Sequence, residues 1–200
     1  MSKFQRKTRE ERECEIKKSA LKVFSRKGYR NATMEDIIAE TTLSKGGVYR
    51  YFSSPKEIMI SIMQDKNNID ILFFEEIGES VNDKKELCNI LANKAITKIL
   101  STSPEKNLYV MFIYEILYDK ELESIFLEFE QQSINQLEKS FGNKIPLFKG
   151  EDKDKNRLFI SRLINAMLLS QSIFSDKEIF NKHKEYIHKI FFEFFYDYID

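Results

Sequence analysis

Residues 44–52 read SKGGVYRYF, and two adjacent glycines interrupt a stretch that is otherwise typical of a helix. A glycine in a helix interior costs about 1 kcal/mol relative to alanine. Gly46 and Gly47 are therefore expected where something outside the protein must come close to the helix backbone. Ser44 is a favourable N-cap residue, so the stretch predicts a short helix that begins immediately after it.

Three further helices are predicted around this stretch. Residues 10–27 form the first, because apolar side chains recur at helical spacing and Gly28 suits the left-handed position after its end. Thr33 caps a second, short helix with acidic residues in its first turn. The sequence SSPKE then opens a long fourth helix with Pro55 at its first position, ending near residue 77.

Two short helices joined by a turn and preceded by a basic helix are typical of a helix-turn-helix. In that motif the second helix enters the major groove, where absent side chains let its backbone approach DNA. Lysine and arginine supply charge there, and tyrosine hydroxyls can donate to phosphate. The residues predicted from this reasoning to contact DNA are Lys45, Gly46, Gly47, Tyr49, Arg50, Tyr51 and Lys56.

Charge is divided along the chain although the net charge is zero. The first 61 residues hold 14 basic and 8 acidic side chains, whereas the remainder holds 18 basic and 24 acidic ones. A basic N-terminal third favours a polyanionic partner there. An acidic remainder would repel nucleic acid, so double-stranded DNA is expected to bind the N-terminal third alone.

Composition predicts an all-α fold, because 3 Pro and 6 Gly accompany many helix-forming residues without sustained apolar alternation. The N-terminus lacks an apolar leader and no run of 18 apolar residues occurs, so a cytoplasmic protein without membrane association is expected. Helices are predicted at residues 83–101, 104–118, 121–141, 156–174 and 176–198, with a loop over residues 142–156.

The last two predicted helices carry wide, aromatic apolar stripes that indicate a partner. A homodimer built as a four-helix bundle across a twofold axis would cover them, and a thick intrachain core is the alternative. The candidate dimer-interface residues are Leu163, Met167, Phe174, Tyr186, Ile190 and Phe194.

Aromatic residues with an embedded carboxylate lie on several faces of the helix predicted at residues 104–118. This composition suits an apolar, aromatic or cationic small-molecule effector, although ordinary core packing explains it as well. The candidate ligand-binding residues are Tyr109, Phe112, Tyr114, Glu115 and Tyr118.

Enzyme and metal functions find little support, and no cofactor is expected. Glu185 and His188 have the Glu-x-x-His spacing of di-iron bundles, but no second copy of the motif occurs. Cys14 and Cys88 sit in unrelated helical patterns, which favours reduced and inert thiols. The C-terminal run FFEFFYDYID lacks the basic face of membrane-surface helices, so a core or interface position is expected.

Residues 20–58 resemble the DNA-binding domain of the tetracycline-repressor (TetR) family. The shared features are an FxxxGYxxAT pattern that starts at Phe24, the IIA of the second helix, the SKGGVYRYF helix and a PKE opening. Members often have glycine just before the apolar turn residue, whereas Thr42 precedes Leu43 here. This departure predicts a turn that is strained or differently shaped.

The resemblance implies a N-terminal three-helix DNA-binding domain at residues 9–69, with the helix-turn-helix at about 32–51. An effector-binding and dimerisation domain would occupy residues 70–200. It also implies phosphate contacts by Thr33, Tyr49, Tyr51 and Lys56. The predicted function is a ligand-responsive transcriptional regulator, a repressor that binds a palindromic operator as a dimer. The alternative is a helical ligand-binding or protein-interaction module whose DNA binding is vestigial.

Overall fold

A computed structural model describes residues 7–148 and 152–199. These residues form helices and connecting segments without any strand, which confirms the all-α prediction. A single 3₁₀ turn, Tyr29–Asn31, follows the first helix. The α-helices are α1 (Arg9–Lys27), α2 (Met34–Ala39), α3 (Lys45–Tyr49), α4 (Pro55–Ser80), α5 (Lys84–Leu100), α6 (Pro104–Glu115), α7 (Lys120–Phe141), α8 (Lys153–Ile173), α9 (Lys177–Lys182) and α10 (Lys184–Tyr198).

Several predicted helix ends were wrong. The helix predicted at residues 176–198 is two helices, because His183 leaves helical geometry with φ −103° and ψ 17°. The apolar spacing continues through this break and therefore could not reveal it. Helix α6 ends three residues earlier than predicted, and α8 begins three residues earlier, inside the predicted loop. Residues 149–151 of that loop, like residues 1–6 and 200, lie outside the described residues.

Helix α4 continues past its predicted end and contains Gly78. A Cβ atom at this glycine would lie 2.6 Å from the Cβ of Ser140 on α7, so the close approach of these two helices requires glycine. Lys144 donates a hydrogen bond of 2.9 Å to the Gly78 carbonyl.

The described residues fall into two compact units. One consists of the residues up to Lys66 together with Ser103–Glu123, and the other of Asn67–Thr102 together with the residues from Ser124 onward. Helices α4 and α7 therefore contribute residues to both units. No helix among the described residues has the length and apolar character that crossing a membrane requires.

The core of the first unit lies between α1, α2 and α6. Its fully buried side chains include Phe24, Ile37, Ile58 and Phe112. The α1 helix is capped at its C-terminus by Gly28, which has a φ of +75° and donates its N–H to the Phe24 carbonyl at 2.9 Å. A left-handed backbone at this position favours glycine and turns the chain toward α2.

The second unit is built on α5, which packs against α8 and α10. Fully buried side chains from these helices and from α7 include Leu87, Ile99, Phe141 and Phe191. Cys88 is also buried, and burial raises the pKa of its thiol to about 11. This thiol is therefore protonated at neutral pH and packs as a small apolar group.

Candidate nucleic-acid interface

Helix α2 begins at a capping box. The Thr33 hydroxyl accepts from the Asp36 N–H at 3.2 Å, and the Asp36 carboxylate accepts from the Thr33 N–H at 3.2 Å. The Thr33 hydroxyl also donates to that carboxylate at 2.9 Å. A hydrogen bond from Lys27, followed by those from Thr33, lowers the pKa of Asp36 to about 2. Thr33, a predicted phosphate contact, thus uses its hydroxyl hydrogen inside its own cap.

Helix α3 is only five residues long and begins after Ser44, whose hydroxyl accepts from the Gly47 N–H at 3.2 Å. The two glycines of this helix have different surroundings. A Cβ atom at Gly46 would meet nothing within 4 Å, whereas one at Gly47 would lie 3.3 Å from the Ser44 hydroxyl oxygen. Packing within the protein therefore accounts for Gly47, but it leaves the absence of a side chain at Gly46 unexplained.

The turn between α2 and α3 is held by a carboxylate from α1. Thr42 donates its N–H and its hydroxyl to the same oxygen of Glu15, at 2.8 and 2.5 Å. Hydrogen bonds from Lys7 and Thr42 lower the pKa of Glu15 to about 2. Thr42 is not among the described residues with positive φ, so its backbone does not require glycine, and threonine fits at a position where family members often have glycine.

The exposed face of α3 presents basic and aromatic groups. Lys45, Tyr49 and Arg50 are exposed, while Val48 is buried and anchors the helix to the unit. The Lys45 ammonium lies 3.3 Å from the Glu35 carboxylate and 5.8 Å from the centre of the Tyr49 ring. Both contacts are surface contacts of small energy, so Lys45 can exchange them for a phosphate or a base.

Tyr51 and Lys56 lie beyond α3. Tyr51 is half-buried. The Lys56 ammonium, in the first turn of α4, lies 2.6 Å from the carboxylates of both Asp119 and Glu121. Partial burial alone would lower the pKa of Lys56, but the hydrogen bonds to these two carboxylates outweigh it and raise the pKa above its ordinary value. Lys56 is therefore charged and already occupied by two anions.

Three of the five residues predicted to bind a ligand surround an arginine of the same unit. The Arg30 Nε donates to the Glu115 carboxylate at 2.8 Å, and the guanidinium lies 4.4 Å from the Tyr118 ring centre and 5.3 Å from that of Tyr114. Phe112 is fully buried. The predicted preference of this cluster for a cation is thus satisfied by the chain's own side chain.

The residues predicted for a dimer interface lie on α8, at its end and on α10 in the second unit. Phe174 and Tyr186 are 70% and 66% exposed, whereas the other four predicted residues are half-buried. The ring of Phe194 lies 5.9 Å from that of Phe159 and 4.6 Å from that of Tyr198. Phe159 is 59% exposed and lies four residues before Leu163, so the two side chains are close on the α8 surface.

A cavity of about 220 Å³ lies in the second unit, lined by residues of α4, α5, α7, α8 and α10 and of the segment after α7. None of the five predicted ligand-binding residues is among those that line it. The sequence signal was weak because each helix contributes only a few lining residues. Within the described part of the chain, no group of three or more His, Cys, Asp or Glu side chains could hold a metal ion.

Comparison with known proteins shows what the helix-turn-helix segment is similar to. The family described as bacterial regulatory proteins, tetR family, matches residues 16–62, which include α2, α3 and the start of α4. The HTH-type transcriptional regulator YfiR of Bacillus subtilis (strain 168) is 43% identical over 56 residues, which are 28% of this chain and 27% of that protein. YerO of the same organism is 23% identical over 183 residues, 84% of this chain and 60% of that protein.

Solved structures share the fold of most of the chain at low identity. A TetR transcription regulator from Haloarcula marismortui has a TM-score of 0.75 at 13% identity, over 96% of this chain and 100% of that one. The transcriptional regulator FadR from Bacillus subtilis, in complex with stearoyl-CoA, has a TM-score of 0.70 at 18% identity, over 89% and 96%. The helix-turn-helix geometry lies within the match of residues 16–62 to the family of bacterial regulatory proteins, tetR family, and the solved structures show a shared fold for most of the chain.

Proposed function

We propose that this protein is a cytoplasmic, ligand-responsive transcriptional repressor that binds a palindromic DNA operator as a homodimer. The observation that carries the proposal is the exposed backbone at Gly46, open on its outer side and bordered by Lys45, Tyr49 and Arg50. A short helix with this surface suits insertion into the major groove. Residues 9–69 form the proposed DNA-binding domain, and residues 70–200 the proposed effector-binding and dimerisation domain.

The proposed contacts fall into two groups. Lys45 and the Gly46 backbone face the groove, with Arg50 able to reach a base edge, while Gly47 packs against the N-cap of α3. Tyr49 and Tyr51 donate their hydroxyls to phosphate.

Two further phosphate contacts require an exchange of partners. Thr33 must release its hydroxyl hydrogen from Asp36, and Lys56 must turn from Asp119 or Glu121 toward the DNA. The strength of these internal contacts therefore subtracts from DNA affinity.

The homodimer would form through α8 and α10. Their exposed aromatic surface, which includes Phe159, Phe174 and Tyr186, favours burial against a second copy. A twofold dimer would place two α3 helices in successive major grooves about 34 to 36 Å apart, or a multiple of that distance.

The effector would bind the cavity of the second unit. The similar fold of FadR, whose solved structure contains stearoyl-CoA, supports a ligand role for this part of the chain. Because α4 contributes residues to both units, ligand binding can favour a state in which DNA binds weakly. Such coupling is reciprocal and is typically about 1 to 3 kcal/mol.

Selection of operators from a random duplex pool with the purified protein, at about 150 mM salt, tests the DNA-binding proposal. An enriched inverted repeat is expected. Its affinity should fall about 10³- to 10⁵-fold between about 50 and 200 mM salt if roughly 6 to 10 phosphates are contacted. A folded, dimeric protein that enriches no sequence would contradict the proposal and favour a ligand-binding or partner-binding module.

A further inference from the structure

The lining of the cavity in the second unit is mainly apolar. Ten of the sixteen residues that line it are apolar, and these come from every contributing helix. Leu91, Ile160 and Phe195 are buried members of this wall. An occupant must therefore have a hydrocarbon portion, because a fully polar molecule would lose its hydration without compensating hydrogen bonds.

The two carboxylates on the cavity wall are both engaged by cations. Asp70 accepts from the Lys94 ammonium at 2.9 Å, and Glu138 accepts from Arg157. The Arg157 side chain is only 9% exposed and also pairs with Asp154. A cationic ligand would have to displace Lys94 or Arg157 from these pairs and leave a partly buried cation without its partner, which is costly.

The basic side chains that line the cavity favour a negatively charged ligand. Three lining residues are basic, Lys94, Lys98 and Arg157, against the two acidic ones. Lys94 and Lys98 lie four residues apart on α5, so their side chains occupy neighbouring positions on one helix face. Lys94 is half-buried and Lys98 is exposed. One positive charge therefore lies at the cavity wall and the other lies closer to the solvent.

We infer that this cavity binds an anionic amphiphile, an alkyl or aryl carboxylate whose acid group meets Lys94 and Lys98. Its apolar tail lies along Leu91, Ile134 and Phe195. The inference names the ligand class of the effector site and rests on the proposed function only for the consequence that binding releases DNA. Binding itself is a property of the second unit and can be measured without DNA.

The test uses three probes with one unbranched alkyl chain of similar length and different head groups: decanoate, decan-1-ol and decyltrimethylammonium. Binding to the full-length protein is measured by isothermal titration calorimetry below the concentrations at which the probes form micelles. Decanoate is expected to bind about tenfold or more tightly than either other probe, because its carboxylate forms charge-assisted hydrogen bonds with both lysines, whereas the alcohol is uncharged and the ammonium is repelled.

Two variants and one control locate the site. K98Q is expected to reduce the preference for decanoate over decanol, whereas K139Q removes an exposed α7 lysine that is not among the lining residues and should leave the preference unchanged. A95L fills the cavity from α5 and should weaken both decanoate and decanol, with helical circular dichroism measured to verify folding. If A95L does not fold, the K98Q comparison alone decides the assignment.

The inference is overturned if decyltrimethylammonium binds as tightly as decanoate, if no probe binds, or if K98Q and K139Q behave alike. Operator selection separates this result from the proposed function. Decanoate binding without operator enrichment would leave the ligand assignment intact and contradict DNA regulation. An enriched operator with no decanoate binding would contradict the ligand assignment and leave DNA regulation intact.

Discussion

The ammonium nitrogen of Lys56 lies 2.6 Å from a carboxylate oxygen of Asp119, so a residue proposed to bind phosphate is already held by an anion of its own chain. Glu121 supplies a second carboxylate at the same distance. Ion pairs near a protein surface are typically worth about 0.2 to 1 kcal/mol each. Because DNA must compete with them, the pairs are expected to lower operator affinity.

Replacement of Glu121 by glutamine should therefore tighten DNA binding about two- to fivefold, the equivalent of one such pair. E123Q is the matched control, because Glu123 pairs with Lys120 at 2.7 Å and its loss changes the net charge equally. Fluorescence anisotropy with the selected operator measures both. Equal tightening in the two variants would show a general charge effect and contradict competition for Lys56.

Gly46 and Gly47 are expected to respond differently to alanine. Because a Cβ atom at Gly46 meets open space, G46A should stabilise the protein by up to about 1 kcal/mol and yet weaken operator binding at least tenfold. G47A should gain less stability, since its Cβ would lie 3.3 Å from the Ser44 hydroxyl oxygen. Urea unfolding and anisotropy measure the two effects. Wild-type operator affinity in G46A would refute the placement of α3 in the groove.

The Glu15 carboxylate should make the stability of the first unit dependent on pH. Its pKa is lowered from 4.5 to about 2, so the carboxylate stabilises the fold above about pH 4.5, and this stabilisation is lost as the pH falls toward about 2. Urea unfolding of wild type and E15Q should therefore differ most near neutral pH and converge in acid. E13Q, which removes the partner of Arg9 on the same helix, is the control. A difference that stays constant with pH would contradict the assignment.

The Arg30 cluster is expected to be structural. Glu115 is 9% exposed, so R30Q would leave a buried carboxylate without its guanidinium and should lower the stability of the first unit. R30K keeps the charge but loses the planar stacking on Tyr114 and Tyr118, and should recover only part of that loss. Urea unfolding measures the effect. Neither variant should change decanoate binding. A change in decanoate affinity would indicate that these α6 residues contribute to ligand binding, as the sequence predicted.

A charge placed on the exposed α8 and α10 surface should dissociate the dimer. F174E introduces a carboxylate at a side chain that is 70% exposed in the single chain, and it should shift the protein to monomer in light scattering coupled to size exclusion. L72E makes the same kind of change at a 62% exposed position on α4 and should leave the dimer intact. Dissociation by both variants, or by neither, would contradict the proposed interface.

Local signals in the sequence predicted the elements of the DNA-binding region well. Thr33, Ser44 and Pro55 mark helix starts, and Gly28 marks a helix end, because each acts through hydrogen bonds or torsions within a few residues. The hydrogen bonds between Glu15 and Thr42 were not predictable in this way, since 27 residues separate the partners.

The remaining differences have the same physical origin. Helix α6 packs on α1 in the first unit, and its aromatic composition alone could not distinguish a ligand pocket from a cluster around Arg30. The cavity was missed because its wall is assembled from side chains far apart in sequence. The break at His183 was missed because apolar spacing is continuous across it.

The bond between Glu15 and Thr42 also has an evolutionary consequence. A glycine in that turn offers no hydroxyl to a carboxylate on α1, so a chain with glycine at position 42 gains less from an acid at position 15. Mutation of either partner alone removes the 2.5 Å hydrogen bond between the Thr42 hydroxyl and the Glu15 carboxylate and leaves the other group without this partner. Replacement of both residues together leaves neither group unsatisfied. Positions 15 and 42 should therefore covary among related regulators. An acidic residue is expected at position 15 where position 42 carries a hydroxyl, and less often where position 42 is glycine.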